Sequence, residues 1–357
     1  MIFYRKLRIF LLASMSDSSN KLFPTRLHLV IFITYIALFV NQGLLITASK
    51  DENNKYTYNT TTVVILVELG KLFFILLLQF RESSLSEFLN QIKSNARMFG
   101  FYMIPALLYC LYNNLAFINL KAYGPTSYWL LLQFRVVTTG VVYQFLFNKQ
   151  LSLRQWLSLG LLTFGCIVQH IGHSSAESSS FNFRVDRYLL FMLVQIFSSC
   201  IAGVYNEYLL KGKAGDVPFL TQSFFMYLDS IICNFGYMYF NSTFSQALTP
   251  EGLASLKQPI VLGIILNNTI AGLVTAILLK KLNSILKQFG ASLEIIFTAI
   301  LVWILFGKAI TTYTFMAIVI VCTAIYIYST SPIQNPSTQG NTVEATGQDS
   351  SRKGEHV

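Results

Sequence analysis

The sequence predicts an all-α polytopic membrane protein, and three observations carry that expectation. Only 12% of the 357 residues are charged, about half the share of a soluble domain, while 54% are hydrophobic and the mean hydropathy is +0.53. Ten apolar stretches of about 18 to 24 residues follow one another, each long enough to cross about 30 Å of hydrocarbon. The tyrosines, asparagines and glutamines scattered inside them have no water to bond in a bilayer, so a bundle has to satisfy them.

In chain order the expected spans are 27–46, 62–81, 98–118, 123–147, 153–170, 187–210, 219–240, 259–280, 288–306 and 309–328. Residues 1–26 read as a cytosolic N-terminal segment. Arg5, Lys6 and Arg8 interrupt its apolar residues, and polar residues follow before the first full span, unlike a secretory signal. Residues 27–170 form a first half of five helices and 187–328 a second, joined by a serine-rich lumenal linker at 171–186. An odd number of spans per half inverts one half relative to the other, an arrangement common in secondary transporters. Residues 329–357 read as a disordered cytosolic tail, since from 331 onward large apolar side chains are almost absent.

Charge orients the bundle. With both termini in the cytosol, seventeen of the 26 lysines and arginines fall on the cytosolic side, counting Lys280 at the end of the eighth span and Lys287 in the loop after it. Seven fall opposite, and Lys71 and Arg135 lie inside spans. That bias follows the positive-inside rule. It also accounts for the net charge of +10 without a nucleic-acid partner, because the cations are spread over short loops rather than gathered in a stripe. The sequons at Asn59 and Asn241 fall in loops on the non-cytosolic side, close to their helices; the one at Asn267 lies inside a span. The cysteines (Cys110, Cys166, Cys200, Cys233, Cys322) have the spacing of neither a zinc site nor a disulfide scaffold and read as packing residues.

The stretch from Tyr109 to His170 holds the strongest chemical signal. Arg135 is expected near the middle of a helix of about 24 residues, where a cation costs several kcal/mol unless it meets water, a partner or an anion. A guanidinium is a donor fork suited to phosphate or carboxylate. Asn113 and Asn114 suit a base, ribose or sugar hydroxyl, or bridge helices. Tyr112 and Tyr128 stack on a base, bind phosphate, or pack. Lys280 reaches either a cavity or the interface, where it would simply mark the cytosolic side with Lys281. Glu68 and Lys71, three apart, form a neutralised pair or a network that opens during transport. Glu207 is placed to meet a cation from another helix. Asp229 and Glu294 are intramembrane acids that either bind a proton or pair with Lys280 or Arg135. No GxSxG elbow, HExxH pair or phosphate-binding glycine loop is present, and the four histidines form no catalytic pair, so no enzyme, metal or cofactor is expected.

From about Thr61 to Tyr328 the sequence resembles the nucleotide-sugar transporter family, in the branch that carries CMP-sialic acid, UDP-galactose and UDP-N-acetylglucosamine. The resemblance rests on Tyr112-Asn113-Asn114-Leu115-Ala116-Phe117, Tyr128 to Thr139, Leu151-Ser-Leu-Arg-Gln-Trp156, Gly203-Val-Tyr-Asn-Glu207 and Gly272 through Lys280 to Phe289. It implies ten helices in the drug/metabolite transporter fold, mostly in the Golgi membrane rather than the endoplasmic reticulum. It also implies exchange of a cytosolic nucleotide sugar for a lumenal nucleoside monophosphate. Asn113, Asn114 and Tyr128 would then face the nucleotide, while Arg135 (where the family usually has lysine) and Lys280 would face the phosphates. The chain departs from the family pattern at Tyr208, Asn283, Tyr123-Gly-Pro125 and Glu294, an acid in a normally apolar ninth span.

The expectation is therefore a Golgi nucleotide-sugar antiporter, with a UDP-sugar such as UDP-galactose chosen on family frequency. Its rivals are a proton-coupled metabolite carrier and a non-transporting scaffold for Golgi carriers or glycosyltransferases. Beyond its solutes, membrane lipids, a second copy of the chain and Golgi glycosyltransferases are the partners such a protein implies.

Overall fold

The computed structural model describes residues 22–49, 58, 60–176, 187–213, 216–240, 258–306 and 312–330. The start of the N-terminal segment, the sequons at Asn59 and Asn241, linker residues 177–186 and the tail from residue 331 lie outside the described residues. The apolar runs become α1 (Arg26–Ala48), α2 (Thr60–Glu82), α3 (Leu85–Ser94), α4 (Arg97–Leu132), α5 (Arg135–Phe147) and α6 (Leu153–Ala176). They continue as α7 (Arg187–Tyr208), α8 (Phe219–Phe240), α9 (Pro259–Lys281), α10 (Ser284–Phe306) and α11 (Thr312–Ser329), with a π-helical turn at Leu209–Lys213 extending α7.

Local chemistry sets several of these ends. Ser84 caps the amphipathic α3, accepting the Glu87 N–H at 3.3 Å. Asn148 ends α5 in the left-handed region with φ 50°, where asparagine is well tolerated. Pro259 starts α9, where its missing N–H costs nothing. The Asn283 side chain accepts the Leu286 N–H at 2.7 Å and so caps α10, which starts four residues before the expected span.

Two expectations at α4 and α5 are modified. Helical geometry runs without interruption through Lys121, where a link between spans was expected. Yet α4 is not straight. The Gln195 amide of α7 donates from its Nε2 both to the Tyr112 carbonyl at 3.3 Å and to the Tyr128 hydroxyl at 2.9 Å. A straight helix would separate those residues by about 24 Å, too far for one nitrogen to reach both. The chain therefore doubles back between them. Before the turn, Tyr109 approaches Gly203 and Asn119 bonds Gln195; after it, Tyr128 meets Gln195, the Arg135 carbonyl meets Cys200, and Phe147 meets Tyr208. The first arm runs against α7 and the second along it.

A second irregularity falls at Gln133 and Phe134, whose N–H groups bond carbonyls three residues back at 3.2 Å. Arg135 thus opens α5 just after a tightened turn, rather than sitting in the middle of one uniform helix.

Among the described residues, eight helical segments are long and apolar enough to cross a membrane, against the ten expected. The two expected spans outside that set, 153–170 and 219–240, are nevertheless helical as α6 and α8. Their hydropathy is diluted by polar groups that face inward. Gln155, Ser158, Thr163 and Gln169 of α6, and Thr221, Gln222, Ser223 and Asp229 of α8, are all buried. Hydropathy averages over the whole helix surface, whereas lipid meets only one side.

The helices pair in a definite pattern: α6 with α11, α4 with α7 and α8, α1 with α9 and α10, α2 with α8 and α9, and α5 with α7. Gly165 lets α6 press onto α11, since a Cβ there would lie 2.8 Å from Val321. Polar clasps fix two of the pairs. Asn41 donates to Asn267 at 2.8 Å, and Asn267 donates to the Leu38 carbonyl at 3.0 Å, tying α1 to α9. Asn119 donates to Gln195 at 2.7 Å, tying α4 to α7.

Replacing Gln195 with leucine strands Asn119, the Tyr112 carbonyl and the Tyr128 hydroxyl inside the bundle. Losing those bonds should cost about 1–3 kcal/mol. Thermal unfolding of the purified protein in detergent should therefore start several degrees lower for Gln195→Leu. Phe145→Ala, at a side chain 82% exposed on the outer face, should melt with the parent.

Candidate functional site

A cavity of about 230 Å³ lies among α2, α4, α7, α8 and α9 and reaches α10. Its walls are mixed. Tyr102, Tyr109 and Asn113 come from α4, Asn206 from α7, Gln222, Tyr227, Ser230 and Asn234 from α8, and Gly272, Thr275 and Leu279 from α9. On α8, residues 222, 226, 230 and 234 recur every four positions, so one stripe of the helix lines the space.

Three charged side chains enter it: Glu68, Lys71 and Lys287. The Lys71 Nζ donates to Glu68 Oε1 at 2.5 Å, one turn away on α2, and stands 5.3 Å from the centre of the Tyr227 ring. Room for the lysine stem comes from Gly272, where a Cβ would lie 2.5 Å from Lys71 Cδ. Lys71 is thus held on one side by a carboxylate and an aromatic face and on the other by bare backbone. Lys287, in the first turn of α10, has no carboxylate partner of this kind among the described residues.

The expected site residues divide into groups. Asn113 faces the cavity. Asn114 turns back on its own helix, donating to the Cys110 carbonyl at 2.7 Å. Tyr128 and the Tyr112 carbonyl are bound by Gln195. Lys280 does not line the cavity; its Nζ stands 5.5 Å from the centre of the Phe219 ring.

Arg135 is not among the residues that line the cavity. Its Nε is buried with no hydrogen-bond partner among the described residues, and Tyr35, Tyr112, Cys200, Lys287 and Glu294 are within its electrostatic reach. Two cations on neighbouring helices, Arg135 of α5 and Lys287 of α10, are therefore without a bonded counter-ion among the described residues. The Gln288 amide, which donates to Thr139 at 3.0 Å, locks those helices side by side. Such a cluster can take an anion with several oxygens.

Glu207 does meet another helix, but through backbone. Its Oε2 accepts the Ser284 N–H at 2.6 Å, and its Oε1 accepts Lys211 Nζ at 2.7 Å. Lys211 also donates to the Leu282 carbonyl. Both side chains are almost fully buried. The pair pins the π-helical turn to the α9–α10 junction and presents a negative charge to the start of α10, where it complements the helix dipole.

Lys287 is the site residue that sequence reasoning misplaced, counting it as a loop cation. The available signal was Asn283-Ser284 ahead of an apolar run, a helix start that puts Lys287 inside the bundle. Tyr227 and Gly272 carry no charge and so gave no signal of a role.

The nucleotide-sugar transporter family model matches residues 24–329, nearly all of the described chain. The chain belongs to the nucleotide-sugar transporter family. Membership makes it a transporter and not an enzyme. Among the relatives of this nucleotide-sugar transporter, the UDP-galactose transporter senju of Drosophila melanogaster is 43% identical over 354 residues, covering 90% of this chain and 91% of its own. A probable UDP-sugar transporter protein of Xenopus tropicalis is 30% identical, covering 77% of this chain and 84% of its own. CMP-sialic acid transporter 1 of Oryza sativa subsp. japonica is 29% identical, covering 81% and 89%. A solved crystal structure superposes with a TM-score of 0.60 over 84% of this chain and 96% of that one, at 15% identity, a likeness of fold alone.

Removing the Glu207 carboxylate leaves Lys211 buried without its ion, a loss that typically costs about 3–5 kcal/mol. Glu207→Ala should therefore lower the yield of folded, monodisperse protein and its melting temperature far more than Glu68→Ala, whose pair is partly exposed. Equal losses in the two variants would show that the junction bears no special load.

Proposed function

We propose that this transporter is a Golgi antiporter that brings a UDP-sugar, UDP-galactose foremost, into the lumen and returns a nucleoside monophosphate to the cytosol. The observation that carries the reading is the cationic interior formed by Lys71, Lys287 and Arg135 beside a polar cavity. The choice of uridine and galactose is supported by the 43% identical relative, which is named a UDP-galactose transporter.

The proposed architecture is ten spans in two inverted halves, with both termini in the cytosol. The helix pairing supports it. Let α1, α2, the first arm of α4, its second arm with α5, and α6 be one half, and α7 to α11 the other. Advancing each helix by five spans turns the α4–α7 contact into α9–α1, α5–α7 into α10–α1, and α4–α8 into α9–α2. The α6–α11, α2–α8 and α5–α10 contacts map onto themselves. A pairing scheme that survives this exchange is what two repeats of one five-helix unit produce.

Lys287 and Arg135 hold the phosphates, Lys71 joins them when it leaves Glu68, and Asn113 contacts the base or sugar. Asn114, Tyr112, Tyr128 and Lys280 support the site from outside the cavity wall. The cavity is smaller than the roughly 300–1,000 Å³ typical of sites that enclose a small ligand, so the halves must part to admit a nucleotide sugar. Rocking of the halves then exposes the site to one side at a time. No covalent bond changes.

Purified protein in liposomes loaded with UMP, CMP, GMP or buffer tests the reading. Labelled UDP-galactose should accumulate fastest against internal UMP, and unlabelled UDP-sugars should compete better than CMP-sialic acid. Lys287→Ala and Arg135→Ala should each cut uptake at least tenfold while the protein remains folded. Uptake indifferent to every internal nucleotide would reject exchange, and accumulation driven by a pH step alone would favour a proton-coupled carrier.

A further inference from the structure

We infer that Glu294 is a resident counter-ion for Arg135, occupying the electrostatic place of the nucleotide phosphate when the carrier is empty. This rests on the antiporter reading above and adds a coupling role to that site.

Glu294 lies seven residues after Lys287 on α10, two turns along the same face, with Gly290 between them. That face looks onto α1 and α5. Tyr35 of α1 packs so closely on Gly290 that a Cβ there would lie 2.8 Å from its ring, while Gln288, on the adjacent side of the helix, ties α10 to Thr139 of α5. Thr139 bonds the Arg135 carbonyl at 2.7 Å one turn back on α5, and Ser292, two residues before Glu294, accepts from Cys166 of α6 at 3.2 Å, so α10 carries Glu294 past the start of α5. Arg135 and Glu294 nonetheless make no direct ion pair, and Arg135 Nε stays unbonded. With no ion pair to Glu294, the donor fork of Arg135 stays open to a ligand.

The consequence follows from charge. Glu68 already offsets Lys71, which leaves Arg135 and Lys287 as two positive charges in a closed interior. Burying uncompensated charge is expensive, so a carrier with both exposed would close only around an anion. Glu294 cancels one of the two. The empty transporter can then close and return, slowly, and the incoming phosphate has to compete with a carboxylate already present. Glu294 thus weakens binding and loosens exchange together.

The test uses full-length protein in liposomes, with labelled UDP-galactose outside and either UMP or buffer inside. Glu294→Gln should lower the KM for UDP-galactose about three- to tenfold. The same variant should raise the ratio of uptake with UMP to uptake with buffer, because return of the empty form is suppressed. Glu294→Met supplies a second uncharged side chain should the glutamine variant fold poorly, and Glu294→Asp, which keeps the charge, should lie nearer the parent in both quantities. A residue that merely packs would lower maximal uptake without tightening binding. A KM and a ratio both unchanged or moved the other way in the uncharged variants, with the parent active, would overturn the inference and leave the carrier reading standing. A parent with no nucleotide-stimulated uptake would sink both.

Discussion

Hydrocarbon offers no hydrogen bonds, and the interior of this bundle is arranged around that fact. Each polar side chain in a span has to find a partner, a cavity or a ligand. Gln195 does so completely, with its two N–H groups and its carbonyl bonded to three points on α4. Asn41 and Asn267 serve each other, and Glu207 is satisfied by a lysine and a backbone N–H. Against this background the unsatisfied groups stand out. Arg135 Nε is one of them, on a helix packed against the one that sends Lys287 into the cavity.

Fold and site are therefore two outcomes of one rule. Where polar groups meet across helices they hold the bundle together. Where cations gather without bonded partners, the interior is left with donors that an anion with several oxygens could take up. The division is visible even on a single arm of α4. Asn113 faces the cavity while its neighbour Asn114 bonds its own helix, because adjacent positions point about 100° apart.

The spans and the family were legible because long apolar runs and local motifs survive in one dimension. Glu68 and Lys71 were legible as a pair because their spacing alone brings them together. What stayed hidden depended on position along or around a helix. A boundary shifted by four residues at Asn283 moved Lys287 from a loop into the bundle. The partner of Tyr128 is a glutamine 67 residues away, and no spacing rule reaches that far. Lys280 had the chemistry expected of a phosphate ligand, but the side of α9 on which it sits places it against Phe219 instead. Hydropathy likewise understated α6 and α8, whose polar residues are the ones that face inward.

The two polar clasps acquire a further meaning when the halves are read as repeats. The Asn41–Asn267 clasp joins α1 to α9, and the Asn119–Gln195 clasp joins α7 to α4; advancing by five spans exchanges those two helix pairs. The clasps differ in chemistry, asparagine to asparagine in one and a three-point glutamine in the other. A perfectly symmetrical machine would rest equally on either side of the membrane. In the proposed two-repeat carrier, unequal latches at equivalent hinges would give it a preferred doorway, and a change as small as an amide side chain would shift which compartment the idle protein faces.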